Sequence, residues 1–264
     1  MGKSVCLAAL VALSSVGALS QNASSKATAA INTAVYCTLT TTANTSGLSA
    51  PTLCTDVYTG ATIATYADDF IQIMHPTIKI SNSQSLFVTP SLVTGLYTNT
   101  AVKTHTGTSS SAVASGGVYL RAVLRDPDTN AVVATAYPIE NCTDIILGCV
   151  TGTSGGTGSY WGVILDSRVQ TLSQTLSSCV ATVGGVSGTC NFDLTTQLIL
   201  QTTSAHTFGF IFPKVGVGTY VVSIEAAVDS NATLSGTGVA VGSAAFGLGS
   251  VTVESVRLVN DFSF

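Results

Sequence analysis

Phe208, Phe210 and Phe212 recur at every second position, a turn follows at Pro213–Gly218, and Tyr220, Val222, Ile224, Ala226 and Val228 then alternate again. Strict alternation places each set on one face of a β-strand, so Thr207–Asp229 reads as two strands joined in a hairpin near the centre of a sheet. Val118, Leu120, Ala122 and Leu124 alternate against Tyr119, Arg121, Val123 and Arg125. Asp126-Pro127-Asp128-Thr129-Asn130 is strong turn chemistry, and Ala131–Tyr137 is the expected return strand. Phe70–Ile80 changes phase at His75-Pro76, which predicts a bulge, an edge strand or two strands in succession. Leu86–Thr98 and Phe192–Thr202 supply further strands, and Trp161–Val169 with Thr171–Cys179 reads as two strands or one bent one. Gly236–Phe246 and Ser250–Val259 form an expected closing pair across Gly247-Leu248-Gly249. The Ser/Thr/Gly-rich stretches Thr104–Gly117 and Val180–Thr189 read as loops, and Thr151–Ser159 as a loop or linker. Beyond the first twenty residues no segment carries helical periodicity. The prediction is an all-β protein: an antiparallel β-sandwich, immunoglobulin-like or jelly-roll-like, of roughly ten to twelve strands.

Within this pattern, Gly218-Thr219-Tyr220-Val221-Val222 resembles the Gly-x-Tyr-x-Cys segment before the F strand of immunoglobulin-like folds. The resemblance implies a structural corner in which the Tyr220 hydroxyl bonds back to nearby backbone. Val222 stands where that family has cysteine and Gly216 where an acid is usual. The resemblance therefore supports a sandwich and names no function.

Lys3 precedes an apolar run from Val5 to Leu19, and polar Gln21-Asn22 follows. That is the layout of a secretory signal peptide over 1–20, with Gln21 as the expected mature N-terminus. The run is short for a bilayer span, and Val239–Leu248, the most apolar later stretch, is broken by Gly242 and Gly247, so no transmembrane anchor is expected. The terminal Phe262-Ser263-Phe264 suits an outer-membrane barrel, but Asn260 on the would-be lipid face and few aromatics argue against one. Residues 21–56 read as a Thr/Ser-rich N-terminal arm and 57–264 as one sandwich domain, with two small β domains divided near 150–160 as the alternative.

Composition narrows the function classes. Charged residues are 8% of the chain, against roughly 25% in an average globular protein. The nine Lys and Arg form no cluster, which argues against a nucleic-acid partner. Without Cys6 of the leader, Cys37, Cys54, Cys142, Cys149, Cys179 and Cys190 remain. Their spacing fits no zinc pattern, so disulfides between nearest neighbours are expected, which suits an oxidising compartment. Asn22, Asn44, Asn141 and Asn231 head Asn-x-Ser/Thr sequons and offer glycosylation acceptors in a eukaryotic host.

Candidate chemistry is sparse. His75, His105 and His206 show no ligand spacing, and no Gly-x-Ser-x-Gly elbow occurs. With so many serines, some Ser/His/Asp combination is expected by composition alone, and none is assigned as a triad. Asp126, Asp128 and Asn130 stand at alternate positions, but Ala131 breaks the calcium-loop pattern, which leaves a hairpin turn. Asp166 and Glu225 could supply the paired acids of a glycosidase cleft, as could most acid pairs in the chain. Trp161 beside Tyr160, and Tyr119 with Arg121 and Arg125, are the available ligand platforms. No catalytic residue, metal or cofactor is assigned. The expectation is a secreted, disulfide-stabilised sandwich with a structural, surface or adhesion-type role and an extracellular glycan or protein as partner. The alternative is a carbohydrate-active protein, either a binding module or a hydrolase.

Overall fold

The structure, a computed structural model, describes residues 26–48, 70–138 and 162–257. The leader, Trp161, Cys54, Cys142, Cys149, Asn22 and Asn141 lie outside the described residues. Those described form an all-β sandwich of antiparallel sheets, with fourteen strands instead of the ten to twelve expected. One sheet, here sheet A, runs β11 (Asp193–Thr207), β5 (Gln84–His105), β14 (Thr237–Val256), β1 (Ala27–Asn44) and β2 (Gly47–Leu48), with β12 (Phe210–Val215) also on β5. Sheet B runs β3 (Ile71–Met74), β13 (Gly218–Ser235), β6 (Thr108–Arg125) and β7 (Val132–Thr135). Within it β4 (Thr77–Ile80) also pairs with β13, and β8 (Val163–Leu176) with β6. A separate hairpin of β9 (Val180–Val183) and β10 (Val186–Thr189) links β8 to β11.

The strands are long. β5 has 22 residues, β14 has 20, and β1, β6 and β13 have 18 each. At about 3.3 Å per residue β5 spans roughly 70 Å, where strands of 3–10 residues are usual. Long strands need an unbroken inward face. Even-numbered residues of β5 from Leu86 to Thr104 are all buried, as are Ala112, Ala114, Val118, Leu120, Ala122 and Leu124 of β6.

The core tapers along this length. At one end Phe210, Phe212, Phe246, Leu86, Leu120, Leu124 and Ile224 fill the space between sheets. Toward the other end the filling shrinks to Ala43, Val102, Ala112, Ala114, Ala232 and Ala240. There the two backbones touch: a Cβ on Gly242 of β14 would stand 2.2 Å from the Ser115 carbonyl oxygen and 2.6 Å from that of Asn231.

Several sequence expectations change. Phe210–Phe212 and Tyr220–Val228 lie in strands, with Phe208 in the link between β11 and β12, but the two strands are not paired with each other: β12 lies on β5 in sheet A and β13 lies in sheet B. Alternation says which residues face inward; it is the same for a hairpin within a sheet and for an arch between sheets, so it left the partner open. β13 is interior to its sheet, whereas β12 pairs with β5 alone. Thr104–Gly117 is not a loop. The chain turns at Thr106-Gly107, and β6 begins at once; its Ser, Ala and Gly are small because the opposing sheet is so close. Thr237–Val256 is one strand. A single bulge at Leu248, with φ of 35°, inserts one residue between Gly247 and Gly249. The bulge switches the buried positions from Ala240, Ala244 and Phe246 to Val251 and Val253, and that phase change mimicked two strands. In the arm, the short strand expected at Val35–Leu39 is part of the 18-residue β1, paired with β14. The phase change at His75-Pro76 is two successive strands on β13, and Asp126–Asn130 does turn β6 into β7.

Candidate functional site

The first cluster lies between the sheets along β8. Inward-facing residues of a strand come every second position, so Asp166, Arg168, Gln170 and Gln174 project together toward β5 and β11. They meet a column of threonines. Thr94 Oγ1 donates to Asp166 Oδ2 at 2.6 Å, and Thr98 Oγ1 donates to Gln170 Oε1 at 2.7 Å. Gln170 Nε2 donates to Thr100 Oγ1 at 2.6 Å and to the Leu198 carbonyl at 2.7 Å. Thr104 donates to Gln174 Oε1 at 3.1 Å, and Arg168 donates to Thr202 Oγ1. Buried polar groups are costly unless partnered, and here the two sheets satisfy each other.

At the end of this seam Ser204, His206 and Asp166 come together. Ser204 Oγ is 2.7 Å from His206 Nε2, and the same Nε2 is 3.3 Å from Asp166 Oδ2. A nucleophilic triad needs the serine on one ring nitrogen and the carboxylate on the other. One nitrogen shared by both, with Asp166 also held by Thr94, orients the imidazole without activating the serine. Sequence reading singled out Asp166 and His206 separately but missed their meeting. The Ser-x-His spacing on one strand face was the available signal; the third member comes from the opposite sheet.

The second cluster sits on the outer face of sheet B. Glu225 is 2% exposed, and both its oxygens are taken. Arg121 Nε donates to Oε2 at 2.7 Å, Arg125 Nη2 to Oε1 at 2.6 Å, and Ser223 Oγ to Oε1 at 2.9 Å. Gln72 Nε2 in turn donates to Ser223 Oγ at 2.7 Å, and the Arg121 guanidinium lies 4.2 Å over the Phe70 ring. Burial pushes the Glu225 carboxyl up, but the Arg121 charge and the hydrogen bonds from Arg125, Arg121 and Ser223 outweigh it and leave it below its ordinary value. Nearby on that face, burial pushes Asp229 up, and burial together with the Asp229 charge pushes the Tyr119 phenol up. Tyr119 is buried and the two arginines clasp a carboxylate, so these three residues present no open ligand platform. Asp166 faces the interior of the sandwich and Glu225 the outside of sheet B, so the two acids do not pair across a cleft.

Cys179 and Cys190 are bonded, with Cα atoms 5.1 Å apart, and close the base of the β9–β10 hairpin. Cys37 falls in β1. Asn44 is exposed at the end of β1, where its Oδ1 accepts from the Ser46 amide at 2.8 Å, and Asn231 is exposed on β13. The Tyr220 phenol folds back over Gly216 and Gly218, where a Cβ on Gly218 would approach its oxygen to 3.0 Å. Asp126 Oδ1 accepts from the Thr129 and Asp128 amides and the Thr129 hydroxyl, and these bonds, the Thr129 amide first, hold its carboxyl below the usual range. His75 is exposed, and His105 meets Asp193 at the far end of β5 beside Lys103. Among the described residues no three His, Cys, Asp or Glu side chains gather as a metal site, and no helix is long and apolar enough to cross a membrane. A shallow notch of about 160 Å³ opens on the outer face of sheet A, where Gly95 leaves space beside Tyr97, Gln201, Thr203 and Ser243. Comparison with protein-family models, with curated proteins and with solved structures finds no match to this chain.

Proposed function

We propose that the protein is an exported structural, surface or adhesion-type component that acts as an elongated spacer, and that it is not an enzyme. The observation that carries this reading is the seam along β8. Its polar side chains are paired with one another across the sandwich, from Thr94–Asp166 to Thr104–Gln174. Polar pairing of this kind rigidifies a long, narrow body. The leader-like first twenty residues and the cysteines support an extracellular setting.

One observation favours a second reading, glycan binding. The notch beside Tyr97 has no charged group in its lining and sets an aromatic ring among amides and hydroxyls, the chemistry that suits a sugar ring. A glycan-array and glycosidase screen of the purified exported protein separates the two. The spacer reading expects neither binding nor turnover. Polysaccharide binding that Tyr97→Ala abolishes would establish the glycan reading, and turnover of any polysaccharide would overturn the non-enzymatic one.

A further inference from the structure

Edges of β-sheets expose unpaired backbone groups, and natural proteins blunt them with bulges, prolines, inward-pointing charges or short strands. Most edges of this sandwich carry such devices. β1 is bulged between Asn32 and Cys37. β3 and β4 are four residues each and flank Pro76. β8 pairs through a register shift and points Asp166 and Arg168 inward. β12 contains Pro213 and a register shift. β11 carries none of them. It runs 15 residues in unbroken register on β5, from Asp193↔His105 to Thr207↔Ser91, without a charge or proline between Leu194 and Ala205.

Among the described residues no strand pairs with the other side of β11. Thr106 N donates to Phe192 O at 3.1 Å, and Phe208 N donates to Pro90 O at 3.0 Å. Both pairs continue the β11–β5 register, so even-numbered residues of β11 exchange their hydrogen bonds with β5. The N–H and C=O groups of odd-numbered residues, from Asp193 to Thr207, therefore point to the open side. β11 also overhangs sheet B: Leu198 and Leu200 lie on the inward face yet remain 41% and 42% exposed, and Ile199 on the outer face is 52% exposed.

We infer that this edge pairs with the β11 edge of a second copy of the chain, antiparallel about a two-fold axis at Ile199. The register is self-complementary. Ile199 stands opposite Ile199, Leu198 opposite Leu200, Gln197 opposite Gln201, Thr196 opposite Thr202 and Thr195 opposite Thr203. Odd residues meet odd residues, as the outward backbone groups require, and each face keeps its own kind of side chain. No charge falls opposite a like charge: Asp193 meets Ala205, and its carboxylate is already held by Lys103 and His105. The pairing joins two copies of sheet A into one continuous sheet and covers the overhanging leucines, so the spacer proposed above would work as a two-fold pair.

Sedimentation velocity on the exported chain tests this. Wild-type protein is expected to be a dimer that dissociates on dilution. Ile199→Lys places two ammonium groups on the axis, and Ile199→Pro removes an N–H that points away from β5; either should weaken association by about tenfold or more while leaving the melting temperature nearly unchanged at concentrations where the wild type is monomeric. Val169→Lys, on the exposed face of β8, should leave the dimer intact. A wild-type monomer at every concentration, or a dimer indifferent to both Ile199 variants, overturns the inference. A monomer whose odd-numbered β11 amides resist hydrogen exchange also overturns it, in favour of another segment of the same chain on that edge. None of these outcomes depends on the glycan screen, so the pairing and the spacer reading fail separately.

Discussion

Glu225 shows what a single buried charge does here. Each carboxylate oxygen has its own guanidinium, and Ser223 and Gln72 extend the bonding away from them. Removing one partner of such a group leaves an uncompensated charge. Glu225→Ala would set Arg121 and Arg125 against each other on one strand face, and should cost about 3 kcal/mol in urea unfolding. Its carboxyl lies below the ordinary value of 4.5 in the folded chain, so the group adds stability that is complete above that value and is lost as pH falls through the folded one. Asp229 is raised and works in the opposite direction. Stability measured against pH should therefore fall less on acidification in Glu225→Gln than in the wild type. The sequence showed Tyr119, Arg121 and Arg125 sharing a strand face. It did not show the carboxylate that occupies them, because Glu225 comes from a strand 104 positions away from Arg121.

At the scale of elements, the β9–β10 hairpin stands apart from the rest. All its residues are exposed, including Val180, Val183 and Val186, and it forms its own two-stranded sheet. Its order rests on the Cys179–Cys190 bond and the turn at Gly184-Gly185, whose φ angles of 61° and 82° favour glycine. A bond closing so short a loop contributes on the order of 2–3 kcal/mol in chain-entropy terms, but only to whatever unfolds with that loop. Cys179→Ser/Cys190→Ser should therefore leave the main melting transition within about 1 kcal/mol of wild type and abolish amide protection across 180–189. A large drop in global stability would show that the hairpin is coupled to the core. Cysteine spacing made this pair legible. Composition misled on the hairpin itself, since valines between glycines read as a loop until paired.

For the whole molecule the governing quantity is the separation of the two sheets, wide at the phenylalanine end and closed to backbone contact at Gly242 and Gly116. Gly242→Ala forces a methyl against two carbonyl oxygens that belong to paired strands and cannot yield. It should destabilise by about 1–3 kcal/mol or more, whereas Gly95→Ala, whose methyl meets only Ala245 at 3.9 Å on the outer face, should be nearly neutral. Thermal unfolding of the two variants checks the contrast. By itself the sequence determined that the fold is all-β, which residues face inward wherever alternation is unbroken, as in Val118–Leu124 and Tyr220–Val228, and where Asp126–Asn130 turns, because each follows from local geometry. Only the tertiary structure decided that β12 and β13 lie in different sheets instead of pairing, that Ser204, His206 and Asp166 meet, that Glu225 fills its arginine pair, and that β11 has a strand on one side alone among the described residues. Alternation fixes a face and carries no information about which strand lies beside it or opposite it; those choices are made by contacts between residues far apart in the chain.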